Sequence, residues 1–404
     1  MNDSEILIKQ DKMSSGFFSA WLIALTTIQW ITLDMYLPAL PVLKEQFAVS
    51  EGMLNISLNA GILTTAIGTL FGGSISDRFG RKAVVAAGTL ISAAGTLACA
   101  AAQGIVLLSV MRGIAGLGSG VVETVTAAMV KDSYSGKKFQ STMTILQASA
   151  LIGPVCAPSL GALLINFGSW RYIFVFLTVI ILISGIPLFF CKETLPKENG
   201  IASNMKDVVR EAKAMCQSSF FVIFLVIMAL VTMPVWAYIG ESSYVIINEF
   251  GESNTMYGLY YAVGSVMSLV APFIYMFLAR KMGVSRVVSI ILALLIISGA
   301  ELLSIGRISP VLFMLGAILM LVAEGMIRPL GMVVLLEAHA EAAGTASSLI
   351  GFILNIVAII GTTVATIGWS SMVFGLGIIT LVCCLGAVIL WWIMVRLGLT
   401  KKMH

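Results

Sequence analysis

Charge is scarce in this sequence. Only 11% of its 404 residues are Asp, Glu, Lys or Arg, against roughly a quarter in soluble domains, so the chain cannot solvate the surface of a soluble fold. Histidine occurs twice and cysteine six times. The cysteines have neither metal-ligand spacing nor the framework of a secreted disulfide scaffold, and they read as reduced packing residues. The chain lacks a Gly-Lys-Ser/Thr phosphate loop and a Ser/His/Asp set, and it leaves no soluble domain for signalling, which argues against a membrane enzyme or receptor. The net charge of +4 forms no patch for nucleic acid, because Lys and Arg sit in short segments between apolar runs.

Apolar residues are what is abundant, at 59%. Stretches of about 20 recur, enough to cross a ~30 Å hydrocarbon core as helices. Twelve spans are expected, near 16–38, 53–75, 82–101, 105–130, 140–166, 170–190, 219–241, 255–278, 285–304, 309–330, 342–367 and 371–396. The first contains Asp34 and lacks a small-residue cleavage site, so it reads as a span rather than a cleaved signal peptide. With the N-terminus inside, 20 of the 24 Lys and Arg fall in cytoplasmic segments, Arg112 lies within the fourth span, and only Lys44, Arg171 and Arg307 fall outside. That bias predicts both termini in the cytoplasm. The one long polar stretch, near the middle, divides the chain into an N-terminal six-helix bundle (1–190), a cytoplasmic linker (191–218) and a C-terminal six-helix bundle (219–404). A weak repeat at an offset of 203 pairs Phe47 with Phe250, Gly61 with Gly264 and Gly80 with Gly283, as parallel halves require.

Charges inside a span are costly and mark function. Asp34 and Arg112 lie at depths that let them approach each other. Arg112 stays protonated, so Asp34 is the candidate proton carrier, with burial and the guanidinium acting on it in opposite senses. One helix face carries Thr27, Trp30, Asp34 and Pro38; another carries Arg112, Gly116, Ser119 and Glu123. Trp30, Trp236 and Tyr238 are candidate stacking surfaces for flat or cationic ligands, and Glu123 could attract cations. Glu324 is placed to pair with Arg328 one turn on, Glu241 is expected to be half-solvated, and His339 is expected in a cytoplasmic loop.

Three sequence runs carry a family resemblance. Between the second and third spans stands Gly73-Ser-Ile-Ser-Asp77-Arg78-Phe-Gly80-Arg81-Lys82, which resembles the signature loop of the major facilitator superfamily. A tight turn there needs glycine, and Asp77 can face a helix N-terminus. The fifth span carries Gly153-Pro154-Val-Cys-Ala157-Pro158-Ser-Leu-Gly161, similar to the superfamily's antiporter motif; its glycines permit close helix approach and its prolines bend the helix. Asp34-Met-Tyr36-Leu-Pro38-Ala-Leu-Pro41, Trp170-Arg171-Tyr-Ile-Phe174 and Glu193-Thr-Leu-Pro196 resemble the Bcr/CflA-type drug:proton antiporters.

That resemblance implies an all-α membrane fold of twelve transmembrane helices, with two six-helix bundles around a central cavity. It also implies a monomer in the bacterial inner membrane that exchanges small lipophilic drug-like substrates for protons, the coupling ion, with no cofactor. Asp34 and Arg112 match the paired charges of a related multidrug exporter, whose additional acid in the first span is Thr26 here. Other departures are Ala115 for glutamine, Ala157 for glycine, and Arg280 where the second-half loop, Leu278-Ala-Arg280-Lys281-Met-Gly283, has its acidic position. Fold alone leaves open a proton-coupled transporter of a sugar, amino acid or short peptide.

Overall fold

The computed structural model of the chain describes residues 6–8, 10–195, 210, 213–337 and 343–400. Most of the expected linker lies outside these residues, as do His339 and His404. The chain divides into two compact units, Met1–Ser203 and Asn204–His404. The first holds α1 (Ser15–Asp34), α2 (Leu40–Phe47), α3 (Glu51–Phe79), α4 (Arg81–Ala100), α5 (Ile105–Ser133), α6 (Gly136–Ile165) and α7 (Arg171–Gly185). The second holds α8 (Ser219–Tyr244), α9 (Asn254–Met282), α10 (Val284–Ser304), α11 (Pro310–Glu337), α12 (Ala343–Ala365) and α13 (Met372–Arg396). Ten helices among the described residues are long and apolar enough to cross a membrane, α1 running on through α2 as one of them. Shorter apolar runs, Cys156–Ile165 and Leu349–Ala365, belong to α6 and α12.

The expected spans and the helices agree in order and differ at their ends. Hydropathy marks only the apolar middle of a helix, so α3, α5 and α11 run on past it to Phe79, Ser133 and Glu337. The first span breaks where 16–38 is expected to be continuous: α1 ends at Asp34, a 3-10 turn covers Leu37–Ala39, and α2 restarts at Leu40. Pro38 and Pro41 cause the break. Each falls in the first turn of the piece it begins, where a missing N–H is tolerated, and each removes the donor that would have continued the preceding helix.

Glycine sets how closely the helices of the first unit approach. A Cβ at Gly120 of α5 would come within 2.9 Å of the Thr65 carbonyl carbon of α3, and one at Gly116 within 3.1 Å of the Gly61 carbonyl carbon. On the other side of α5, a Cβ at Gly95 or Gly88 of α4 would lie 3.0 Å from the Met111 oxygen or 3.1 Å from the Gly118 oxygen. Such contact matters in a bilayer, where apolar side chains gain nothing by leaving lipid and association rests on packing and polar contacts. One end of the unit is filled by Phe18, Trp21, Leu22 and Leu25 of α1 against Val84 and Val85 of α4 and Val122, Val125 and Met129 of α5.

The two units repeat one plan. Helices α3 and α9 have 29 residues each and begin and end at positions 203 apart. Ser50 and Ser253 cap them by accepting from Met53 N and Met256 N. The turns before them pass through positive φ at Ala48 (51°) and Gly251 (72°), and those after them at Gly80 (92°) and Gly283 (77°). The neighbour pairs repeat as well: α3 with α5 and α9 with α11, α1 with α6 and α8 with α12, α4 with α7 and α10 with α13.

Replacing Gly120 by valine should overpack the α3–α5 seam and lower stability by about 1–3 kcal/mol, read as thermal unfolding of the detergent-solubilised protein; an unshifted transition would show that the close approach is dispensable.

Candidate transport site

The break in the first span leaves backbone carbonyls that the helix no longer answers. Arg112 answers them. From α5 its Nη1 donates to the Thr32 oxygen at 2.8 Å and its Nη2 to the Leu33 oxygen at 3.2 Å. The guanidinium also lies 4.1 Å from the ring centroid of Tyr36, just past the break. Gly61 makes room for it, since a Cβ there would sit 3.3 Å from Nη2. Tyr36 is fully buried, packs on Phe174 at 5.9 Å and pairs its hydroxyl with Ser57 at 3.3 Å. A buried guanidinium, a helix C-terminus and an aromatic face therefore satisfy one another.

Asp34 and Arg112 are both buried, at 6% and 2% exposure. The guanidinium bonds the carbonyl of Leu33, the residue next to Asp34 in the chain. Yet no ion pair or hydrogen bond joins them among the described residues; the hydrogen bonds of Arg112 go to the Thr32 and Leu33 oxygens instead. The pair meets through space rather than by contact.

The other candidates are dispersed. Trp30 is half-buried, and its Cβ lies against Gly153 of α6. Gly161 likewise receives Met35 and Pro38, and Ala157 between them is fully buried. The antiporter-like stretch is thus the surface on which both sides of the break rest. Pro158 is buried within it, and the side chain of Pro154 lies outside the described residues. Glu123 is half-buried on α5. In the second unit Trp236 is half-buried beside Gly361, whereas Tyr238 lies inside an aromatic cluster with Tyr261 at 6.1 Å and Phe313 at 6.0 Å. Glu324 pairs with Arg328 at 3.2 Å. Glu241, expected half-solvated near a helix end, is 2% exposed; α8 continues past it to Tyr244, so it lies within the helix and not at its end.

The signature loop is a network centred on Arg81. Its guanidinium bonds Asp77 at 2.6 Å and Asp132 at 2.9 Å, and donates to Ser76 Oγ at 2.5 Å. Asp77 is thereby held by Arg81, and the N-terminus of α4 is capped from elsewhere. Glu193 accepts from the backbone N–H groups of Arg81 (2.9 Å), Lys82 (3.2 Å), Thr194 (2.9 Å) and Leu195 (3.0 Å). Lys82 Nζ closes the same joint by donating to the Cys191 oxygen at 2.7 Å. Gly73 contributes a carbonyl to Arg81, and Arg78 lies over Phe79 at 5.3 Å. Gly80 is required twice: by its positive φ, and because a Cβ would meet Glu193 Oε2 at 2.6 Å. At Gly283 a Cβ would meet nothing within 4 Å.

A sequence profile of the Major Facilitator Superfamily matches residues 22–362. The chain belongs to this superfamily. It is a multi-pass membrane transporter and not an enzyme. It is 28% identical over 250 residues to the multidrug resistance protein MdtL of Shewanella sp. (strain ANA-3), a match that spans 62% of this chain and 62% of that one. It is 24% identical over 337 residues to a bicyclomycin resistance protein homolog of Haemophilus influenzae, covering 82% and 85%. Among solved structures it shares the fold of a D-xylose-proton symporter, with TM-score 0.68 and 17% identity over 92% of this chain and 97% of that one.

Two substitutions probe the superfamily member's two polar centres. Arg112→Lys gives up the fork that spans two carbonyls and should lose about 1.5–3 kcal/mol, the worth of one charged hydrogen bond; equal thermal stability in detergent would show the fork to be idle. Glu193→Gln should weaken the α4 cap by about 0.5–2 kcal/mol and speed amide exchange at Arg81 and Lys82 while leaving amides in the middle of α4 unchanged.

Proposed function

We propose that this transporter is a proton-coupled multidrug efflux pump of the bacterial inner membrane. It exchanges lipophilic drug-like molecules for protons by alternating access of its two six-helix units, as a monomer with both termini cytoplasmic. The observation that carries the reading is the state of Asp34. Its carboxylate is enclosed, follows directly on the two backbone carbonyls that Arg112 holds, and is held by no hydrogen bond or ion pair among the described residues. An acid locked in a direct pair with arginine would resist protonation; one that only feels the charge can gain and lose a proton as its surroundings change.

In this scheme substrate binding displaces the proton from Asp34, and reprotonation from the outer side releases the substrate. Each pH unit across the membrane supplies about 1.4 kcal/mol, and each 100 mV about 2.3 kcal/mol per charge. Trp30 and Trp236, each half-buried, are the aromatic surfaces proposed to meet substrate, with Glu123 favouring cationic ones. The loop at Gly73, Asp77, Arg78, Gly80, Arg81 and Lys82 is proposed to gate the cytoplasmic end. The stretch from Gly153 and Pro154 to Pro158 and Gly161 is proposed to seal against proton leak by pressing on the break in the first span. The names of the resistance-protein relatives favour drugs as the cargo.

In a pump-deficient host, expression of the wild type should raise resistance across a panel of lipophilic antibiotics and dyes, and Asp34→Asn should return it to the level of the empty vector. Proton-linked efflux that survives Asp34→Asn would overturn the assignment of the proton to this residue.

A further inference from the structure

Where α1 begins, the first unit carries a cavity that the transport scheme does not use. It holds about 520 Å³, inside the roughly 300–1,000 Å³ range of ligand sites. Phe17 of α1 lines one side, and Ile186, Pro187 and Phe190, in and just after the 3-10 turn Ile186–Phe189 that follows α7, line the other. Lys12 and Ser14 line its polar end. The two sides are fastened to each other beyond the cavity in both directions. Trp21 Nε1 of α1 donates to the Ser184 oxygen of α7 at 2.8 Å, and the Lys192 N–H donates to Gln10 Oε1 at 2.7 Å.

Two features decide what such a cavity takes. The first is its outward-facing apolar surface: Phe17, Ile186 and Phe190 are each just over half exposed. Phe17 opens the apolar run of the first span and Lys12 stands three residues before α1, so the cavity straddles the boundary between headgroups and hydrocarbon. The second is a charge without a partner. Lys12 makes no hydrogen bond or ion pair among the described residues. Its charged neighbours are already engaged: Asp11 with Lys192 at 3.6 Å, Lys82 with the Cys191 oxygen, and Lys138 with Ser15 Oγ and the Tyr134 ring. The first turn of α1 carries no acid.

A cation at headgroup level above an exposed apolar slot is complementary to a molecule with a negative head and an apolar tail. A lipophilic cation meets the wrong charge here. A second cavity, of about 410 Å³ between α3 and α5, is lined by Thr64, Val110 and Leu117 and carries no charge, so it has nothing with which to select a headgroup.

We propose that the cavity between the start of α1 and the turn after α7 binds one anionic phospholipid, its phosphate on Lys12 and an acyl chain against Phe17, Ile186 and Phe190. The site does not depend on which cargo the transporter moves. Its wall runs directly into residues 191–195, the stretch that caps α4 through Glu193 and holds Lys82. The bound lipid therefore ties the start of α1 to the joint that carries the signature loop.

The test titrates the purified full chain in detergent with dioleoyl phosphatidylglycerol and, separately, dioleoyl phosphatidylcholine, and counts bound lipid by native mass spectrometry. Wild type should bind its first phosphatidylglycerol about fivefold more tightly than phosphatidylcholine, the worth of one basic residue at an anionic surface. Lys12→Gln should bind the two lipids alike, and Lys12→Arg should keep the preference. Lys281→Gln, which removes the same charge from the second unit, should keep it too. Lys12 is exposed, so Lys12→Gln should unfold thermally like wild type when no lipid is added. Glycerol 3-phosphate, a phosphate head without chains, should not displace the bound lipid. Equal affinity of wild type for the two lipids, a preference that survives Lys12→Gln or is lost in Lys281→Gln, or displacement by glycerol 3-phosphate overturns the proposal.

Discussion

A guanidinium buried between membrane helices needs partners that the bilayer cannot supply, and the first unit is arranged around the ones that Arg112 finds. Two of its nitrogens take the carbonyls left by the break after Asp34, its face takes the ring of Tyr36, and Gly61 stands aside for it. Removing any of these would leave an unsatisfied charge in a low-dielectric interior, where such a fault is expensive. Because the arginine is occupied by the backbone, the neighbouring aspartate is left to respond to its surroundings, and the chemistry proposed for the transporter lives in that division of labour.

Close packing makes the arrangement possible. The glycines of α3, α4 and α5 bring three backbones within van der Waals contact, which lets a side chain rooted on α5 reach the main chain of α1. The antiporter-like stretch of α6 does the same from the opposite side, with Gly153 against Trp30 and Gly161 against Met35. Pressed from both sides, the proline-broken span keeps one shape although it has lost part of its own hydrogen-bond ladder.

Much of this was legible in the sequence, and what was not has a physical reason. Span count and order follow from apolar run length, and the repeat follows from matched glycines, because a turn through positive φ restricts the residue allowed there. Asp34 and Arg112 stand out because charge in an apolar run is rare. Their geometry was hidden: a sequence cannot show that arginine prefers two orphaned carbonyls to the acid nearby, since that choice depends on where two prolines end a helix. Glu193 escaped selection as a cap because its partners, Arg81 and Lys82, lie more than a hundred residues away. Tyr238 looked like a ligand surface by residue type, and only tertiary packing puts it in a core with Tyr261 and Phe313.

The two duplicated glycine turns have parted company. At Gly80 the backbone angle and the Glu193 carboxylate both forbid a side chain, whereas at Gly283 the angle alone does so and the space beyond lies open. A copy freed of one constraint faces a smaller penalty for change: a side chain at 283 meets only the strain of a glycine-favouring backbone (φ 77°, ψ 156°), whereas one at 80 meets that strain and the carboxylate together. Divergence between the halves, whether by natural variation or by an engineer seeking a place for a probe, therefore has an easier path through the second turn than through the first.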